Sequence, residues 1–247
     1  NRNPLSGLKP LRQQAAAPRW LDPRAEHKLQ HALEKRMQVA EAASAGDTRL
    51  PVQRKALRDT AIVMLMWKAG LRVSEVAALN VGDIVLQSSR RGVAHVHLGK
   101  GRKSRDVPLS VQVVQALSAW QEARPAAGEA LFLTKTNRRV TPRMIQQVVE
   151  QLGRETVALL KLRSASEREM ADALSALSPH VLRHTCAKRL LDAGAALAWI
   201  LPEVDCLFGI PQDERYHPEI DTGLHVQMAL DFAASRAAAT TRARVVA

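Results

Sequence analysis

The chain has 247 residues, 46% of them hydrophobic, enough for one large domain or two small ones with a sizeable core, which excludes wholesale disorder. Aromatic residues make up only 3%, so the core must be built mainly from Ala, Leu, Val and Ile, a composition that favours helices over broad sheets. Lys and Arg number 36 against 24 Asp and Glu, a formal charge of +12, and no apolar run approaches the ~20 residues of a spanning helix, so the excess fits a polyanion, nucleic acid ahead of a lipid surface.

Residues 1 to about 20 carry Pro4, Pro10 and Pro18 among basic residues and Gly7, and read as an extended linker. The chain starts at Asn1 rather than Met, and a linker of this kind leads from something, so a further N-terminal domain is expected ahead of it. Helical periodicity begins over 23–45, where Leu29, Leu33 and Met37 stand at four-residue steps. Residues 51–69 place Leu57, Ala61, Ile62, Leu65 and Met66 on a wide apolar face, and Gly70 should close that helix. Ser74 is expected to cap a short helix reaching about Leu79.

The period then changes. Residues 83–86, 93–98 and 105–109 read as three short strands, with Gly99-Lys100-Gly101-Arg102 as a turn between the last two. Helices are expected again at about 111–123, 141–152, 154–177, 179–193, 196–204 and 219–237. The expected fold is therefore mainly α with a small three-stranded antiparallel sheet. Cys186 and Cys206 form neither a disulfide framework nor a Cys-x-x-Cys metal pair, and no signal peptide is visible. A reducing, cytoplasmic setting is the expectation.

Chemistry concentrates around residues 178–185. Ser178 is a good N-cap and Pro179 suits the first helical position. His180, Arg183 and His184 then stand at i, i+3 and i+4 on one helix face, in the opening turns where the helix dipole welcomes an anion. An arginine there can grip a phosphate with two parallel hydrogen bonds, and an imidazole can donate to a reacting oxygen or take its proton. A second concentration lies near the predicted hairpin, where Arg90, Arg91, Lys100, Arg102, Lys103 and Arg105 fall within sixteen positions. They are candidate contacts to a DNA backbone.

His180-Val181-Leu182-Arg183-His184-Thr185 resembles the His-x-Leu-Arg-His-Thr signature of the tyrosine recombinases, the phage-type integrases. Gly70-Leu71-Arg72-Val73-Ser74-Glu75 resembles that family's first arginine motif, and the stretch from Gly99 to Leu109 resembles its catalytic-lysine hairpin. The three occur in the family's order, and the resemblance covers roughly residues 18–225. It implies a linker over 1–20 leading from an N-terminal DNA-binding domain, a catalytic domain over 21–235 and a tail over 236–247.

The resemblance also implies roles. Arg72 and Arg183 would flank the scissile phosphate and stabilise its five-coordinate transition state. Lys100 would protonate the leaving 5′-oxygen, with Lys103 as second candidate. His180 would act as general base or orient the phosphate, Glu75 would support the first arginine motif, and His184 would assist. No metal or other cofactor is implied, because two guanidiniums and a lysine supply the positive charge. The nucleophile should be a tyrosine C-terminal to these motifs, and Tyr216, the chain's sole tyrosine, stands 33 residues after Arg183. The expected reaction is site-specific breakage and rejoining of double-stranded DNA through a 3′-phosphotyrosyl link. Such enzymes assemble as a tetramer on DNA, with C-terminal segments, here residues 221–247, packed in trans.

The resemblance departs at one step. The family places a His or Trp between the second arginine and the tyrosine, whereas Cys206 or Ile210 aligns there, depending on the register chosen. That departure motivates an alternative, a DNA-binding protein of the same fold with weakened catalysis. A type IB topoisomerase shares the chemistry and is a third reading.

Overall fold

The computed structural model describes residues 20–42, 49–97 and 104–194. Those residues form seven helices and a three-stranded sheet. Helix α1 spans Pro23–Ala42 and opens on Asp22, whose Oδ1 accepts the Ala25 amide at 2.7 Å. Its Leu29, Ala32 and Leu33 are buried against helix α2, Arg49–Trp67. Every residue from Ala61 to Trp67 is buried, so α2 is the central helix, packed by α1, α4, α5 and α7. A helix surrounded in this way is apolar all round rather than on one stripe.

The predicted stop falls at the expected place. Gly70 takes φ +70°, the left-handed conformation that a side chain resists, and the chain turns from α2 towards helix α3, Val73–Ala78. The cap of α3 differs from expectation. Arg72, not Ser74, is the N-cap, and the exposed Ser74 lies inside the helix. The Glu75 carboxylate accepts the Arg72 amide at 2.8 Å, so an acidic side chain at the third helical position satisfies the backbone donor.

A 3₁₀ turn over Val81–Asp83 leads to β1, Ile84–Leu86, which pairs antiparallel with β2, Gly92–Val96, and β2 with β3, Arg105–Leu109. The sheet order is β1-β2-β3, and Val96 lies opposite Arg105 while Gly92 lies opposite Leu109. Arg105, Val107 and Leu109 face inward, with Asp106 and Pro108 outward. Pro108 is tolerated because β3 is an edge strand.

Helix α4, Val111–Ala123, lies against α2 and buries Trp120, whose indole donates to the Leu131 carbonyl at 2.9 Å. Helix α5 spans Pro142–Ala158 and continues through Gly153, where the sequence pattern placed a break. A Cβ at residue 153 would stand 2.4 Å from the Leu174 carbonyl oxygen, so the glycine is there for close helix approach rather than for a stop. The single helix expected over 154–177 is correspondingly two pieces. The chain turns at Leu162, with φ +52°, and helix α6, Ala165–Ser175, starts at Ser164 with a capping box. In that box Ser164 Oγ accepts the Glu167 amide while Glu167 accepts the Ser164 amide. Helix α7, Pro179–Asp192, completes the described fold, with Ser178 as its cap and Pro179 at its start, as predicted. The linker to residue 19, the predicted helices at 196–204 and 219–237 and the tail lie outside the described residues.

Candidate active site

Three elements converge at the turn after α2. Arg72 and Glu75 come from the start of α3, Arg105 from the first residue of β3, and Arg183 from the second turn of α7. Arg183 is buried, and its Nη1 donates to the Gly70 carbonyl. That bond ties α7 to the turn that carries Arg72. The position of α7 is fixed further along by Arg189, which donates to the Trp67 carbonyl at 3.1 Å and to Glu26 at 3.2 Å. Trp67 Nε1 donates to the same Glu26 carboxylate at 2.8 Å. At the other side of α7, Thr185 Oγ1 accepts the Leu21 amide at 3.0 Å.

Glu75 is the hub. Its Oε1 accepts from Arg72 Nη1 at 2.9 Å and from Arg105 Nη1 at 2.8 Å. Its Oε2 accepts from the Arg72 amide at 2.8 Å and from Arg105 Nη2 at 2.9 Å. Burial alone would raise the pKa of this carboxyl, but the Arg105 hydrogen bonds, then those of the Arg72 amide and guanidinium, hold it at about 2, well below its ordinary 4.5. Two of these four bonds join Glu75 to Arg72, among the described residues.

Arg105 differs from expectation. The sequence placed it among candidate DNA-backbone contacts, whereas both of its Nη atoms turn inward to Glu75 in a two-pronged pair. Arg90 and Arg91 are exposed, in the β1–β2 turn, with their amides on Ser88 Oγ. By the sheet register they sit at the opposite end of β2 from Arg105, roughly 13 Å of strand away. Lys100, Arg102, Lys103 and Tyr216 lie outside the described residues.

Arg183 keeps its charge in this setting. Burial first, and the Arg72 charge second, lower it from the ordinary arginine value to about 10, with Glu75 opposing, so it is cationic at neutral pH. His180 is exposed at the start of α7, and its ring stacks with that of the half-buried His184, centroids 6.3 Å apart. Burial, then His180 and Arg183, push His184 below the ordinary histidine value, so it is a neutral imidazole near pH 7. The arrangement gathers the guanidiniums of Arg72, Arg105 and Arg183 around the ionised Glu75 carboxylate, with the neutral His184 imidazole near Arg183. A phosphodiester is the anion such donors fit.

Sequence reasoning also missed Cys186, one turn after Leu182 on α7. Its Sγ is 3.3 Å from where a Cβ at residue 70 would lie, and burial raises its thiol pKa. It is a packing residue against the Gly70 turn. Its i+3 spacing from Arg183 is the signal in the sequence that sets it on a neighbouring face of the helix. Among the described residues no helix is long and apolar enough to cross a membrane.

The profile of the phage integrase family matches residues 29–201. The tyrosine recombinase XerC of Azotobacter vinelandii is 34% identical over 199 residues, covering 79% of this chain and 54% of that protein. XerC of Pseudomonas fluorescens is 31% identical over 198 residues, covering 79% and 54%. The chain therefore spans about half the length of the curated relatives it matches. Among solved structures, the XerA recombinase superposes with a TM-score of 0.54 at 24% identity over 76% of this chain and 56% of that one. The Tn1549 transposon integrase, solved with circular intermediate DNA, gives 0.53 at 20% identity over 78% and 59%. These likenesses establish the fold, mainly helical with a three-stranded sheet, and the profile, which covers well over half of the residues, establishes that the chain belongs to the phage integrase family.

Proposed function

We propose that this chain is the catalytic part of a tyrosine-type site-specific DNA recombinase that cuts and rejoins double-stranded DNA without a metal or other cofactor. The observation that carries the reading is the convergence of Arg72 and Arg183 on one small area, both fixed by protein partners, at the start of the α7 helix with His180 and His184. Donors held in place before the substrate arrives stabilise developing charge without reorganising.

The proposed chemistry is a transesterification. Tyr216 Oη attacks the scissile phosphorus, a new P–O bond to tyrosine forms, and the P–O5′ bond breaks. The departing 5′-oxygen takes a proton from Lys100, or from Lys103. Arg72 and Arg183 carry the extra negative charge of the five-coordinate state, and His180 orients the phosphate or accepts the tyrosine proton. Attack by a 5′-hydroxyl from a partner strand reverses the steps, and bond energy is conserved, so no nucleotide is consumed. The proposed partners are specific DNA sites and further copies of this protein in a tetramer, in a cytoplasmic setting. Arg90 and Arg91, exposed at the far end of the sheet, together with Arg102 are proposed contacts to flanking phosphates.

The test uses a nicked suicide DNA substrate carrying the cognate site, from which the cut end diffuses away. The wild-type protein is expected to accumulate a covalent DNA adduct. Tyr216→Phe is expected to form none while binding DNA as before, because no other tyrosine exists in the chain to replace it. DNA binding without any wild-type adduct would transfer the case to the alternative of a DNA-binding protein with lost catalysis, for which the aligned Cys206 or Ile210 is the motivation.

A further inference from the structure

We infer that Arg105 is a positioning residue of this site, which grips both oxygens of the Glu75 carboxylate and so fixes it where it holds Arg72 in place, without Arg72 being its sole counter-ion; the inference rests on the recombinase reading above. Among the described residues, four bonds reach Glu75, two from Arg72 and two from Arg105, at 2.8 to 2.9 Å. They occupy both carboxylate oxygens symmetrically, one Arg72 donor and one Arg105 prong on each. The Arg105 side chain is mostly buried, and so is Glu75. The planar fork of arginine matches a carboxylate in a way that a lysine cannot.

The consequence is one of charge and of geometry. A buried carboxylate facing a single guanidinium forms a neutral pair, and a phosphate then gains little from that guanidinium. With Arg105 added, the cluster of Glu75, Arg72 and Arg105 carries net positive charge, and Arg183 from α7 adds to it. Arg183 senses the charges of Arg72, Glu75 and Arg105 alike, so all four belong to one electrostatic unit. Arg105 is also the residue at which β3 begins, so the same pair fixes the edge of the sheet to the start of α3 across a sequence separation of 30 residues. Among the described residues, the charged groups facing Glu75 are Arg72 on its own segment, Arg105 from β3 and Arg183 from α7.

Removing Arg105 leaves burial unopposed by the strongest of the bonds that keep Glu75 ionised. Glu75 then protonates at a pH where the wild-type residue is fully charged, and its hold on the Arg72 guanidinium weakens as the pH falls.

The experiment is single-turnover cleavage of the suicide substrate by the full protein from pH 5 to 8, with wild type, Arg105→Gln, Arg105→Lys, Glu75→Gln and the Arg105→Gln/Glu75→Gln double variant. DNA affinity and thermal unfolding are measured in parallel. Arg105→Gln is expected to cleave about tenfold or more slowly at neutral pH, the scale on which outer partners of a site act, with DNA affinity within about twofold. The ratio of its rate to that of wild type is expected to fall further towards pH 5, and the double variant is expected to lose that acid dependence. Arg105→Lys, which keeps the charge on a single nitrogen without the planar fork, is expected to lie between wild type and Arg105→Gln and serves if the Gln variant does not fold. Cleavage at the wild-type rate by either Arg105 variant overturns the inference. So does a rate ratio independent of pH, or Gln substitutions whose effects simply multiply. A wild-type protein that binds DNA and forms no adduct overturns the recombinase reading instead.

Discussion

Replacing Arg183 by lysine separates its two jobs. The guanidinium is buried and its Nη1 donates to the Gly70 carbonyl, and on the recombinase reading it also meets the scissile phosphate. A lysine offers one nitrogen on a flexible stem, which can satisfy the Gly70 carbonyl or reach a phosphate but cannot do both in the same fixed geometry. Losing one transition-state donor of this kind costs ~10²–10³ in rate, about 2.7–4 kcal/mol of barrier. If the lysine turns to the phosphate instead, the partly buried Gly70 carbonyl loses this donor, at about 1 kcal/mol of stability. Either way Arg183→Lys should form the covalent adduct at least about a hundredfold more slowly in single-turnover conditions, while DNA affinity falls little. The assay is the adduct rate at saturating protein, alongside thermal unfolding. Cleavage within a few-fold of wild type at unchanged stability would refute the placement of Arg183 at the phosphate.

Gly153→Ala should destabilise the fold even though alanine is the better helix former. Its Cβ would press on the Leu174 carbonyl oxygen at 2.4 Å and on Leu177 Cβ at 3.0 Å, and backbone cannot swing aside. Overpacking costs about 1–3 kcal/mol or more and the helix gain returns about 1 kcal/mol, so a melting temperature lower by a few degrees is expected; a raised one would contradict the close α5–α6 approach. Glu75→Gln should lower stability in a pH-dependent manner. Because the folded carboxyl titrates at about 2, below its ordinary 4.5, its contribution is complete above about pH 4.5 and is lost as the pH falls towards 2. That contribution is on the order of 3 kcal/mol, so urea unfolding should separate wild type from Glu75→Gln at pH 7 and bring them together near pH 2–3. An equal gap at both pH values would show that Glu75 is not held ionised by its partners.

Much of the local architecture was legible in the sequence because local rules decide it. The Ser178-Pro179 start of α7 depends on a cap and on a fixed proline φ, and the glycine stop at Gly70 depends on a left-handed turn. Three strands at 83–109 followed from a change of period. The spacing of His180, Arg183 and His184 put them on one helix face before any packing was known, and three motifs in order named the family. Composition alone foresaw a helical core poor in aromatics.

What the tertiary structure decided is where charge goes and which glycine means what. Gly70 and Gly153 look alike in sequence, yet one turns the chain and the other makes room for the Leu174 carbonyl, because only packing reveals what a missing Cβ avoids. The surplus of basic residues pointed to a polyanion, but many are engaged inside the fold. Arg36 pairs with Glu155, Arg58 with the buried Asp59, Arg124 holds the 125–131 loop by its carbonyls, and Arg139 binds the carbonyls that end α3. Arg105 is the sharpest case. As one of six basic residues near a hairpin it reads as a surface contact, and only the pairing of Val96 with Arg105, which sets β3 beside α3, brings it to Glu75. A sequence states how many charges a chain carries; the partner of each is fixed by which elements the core brings within 3 Å.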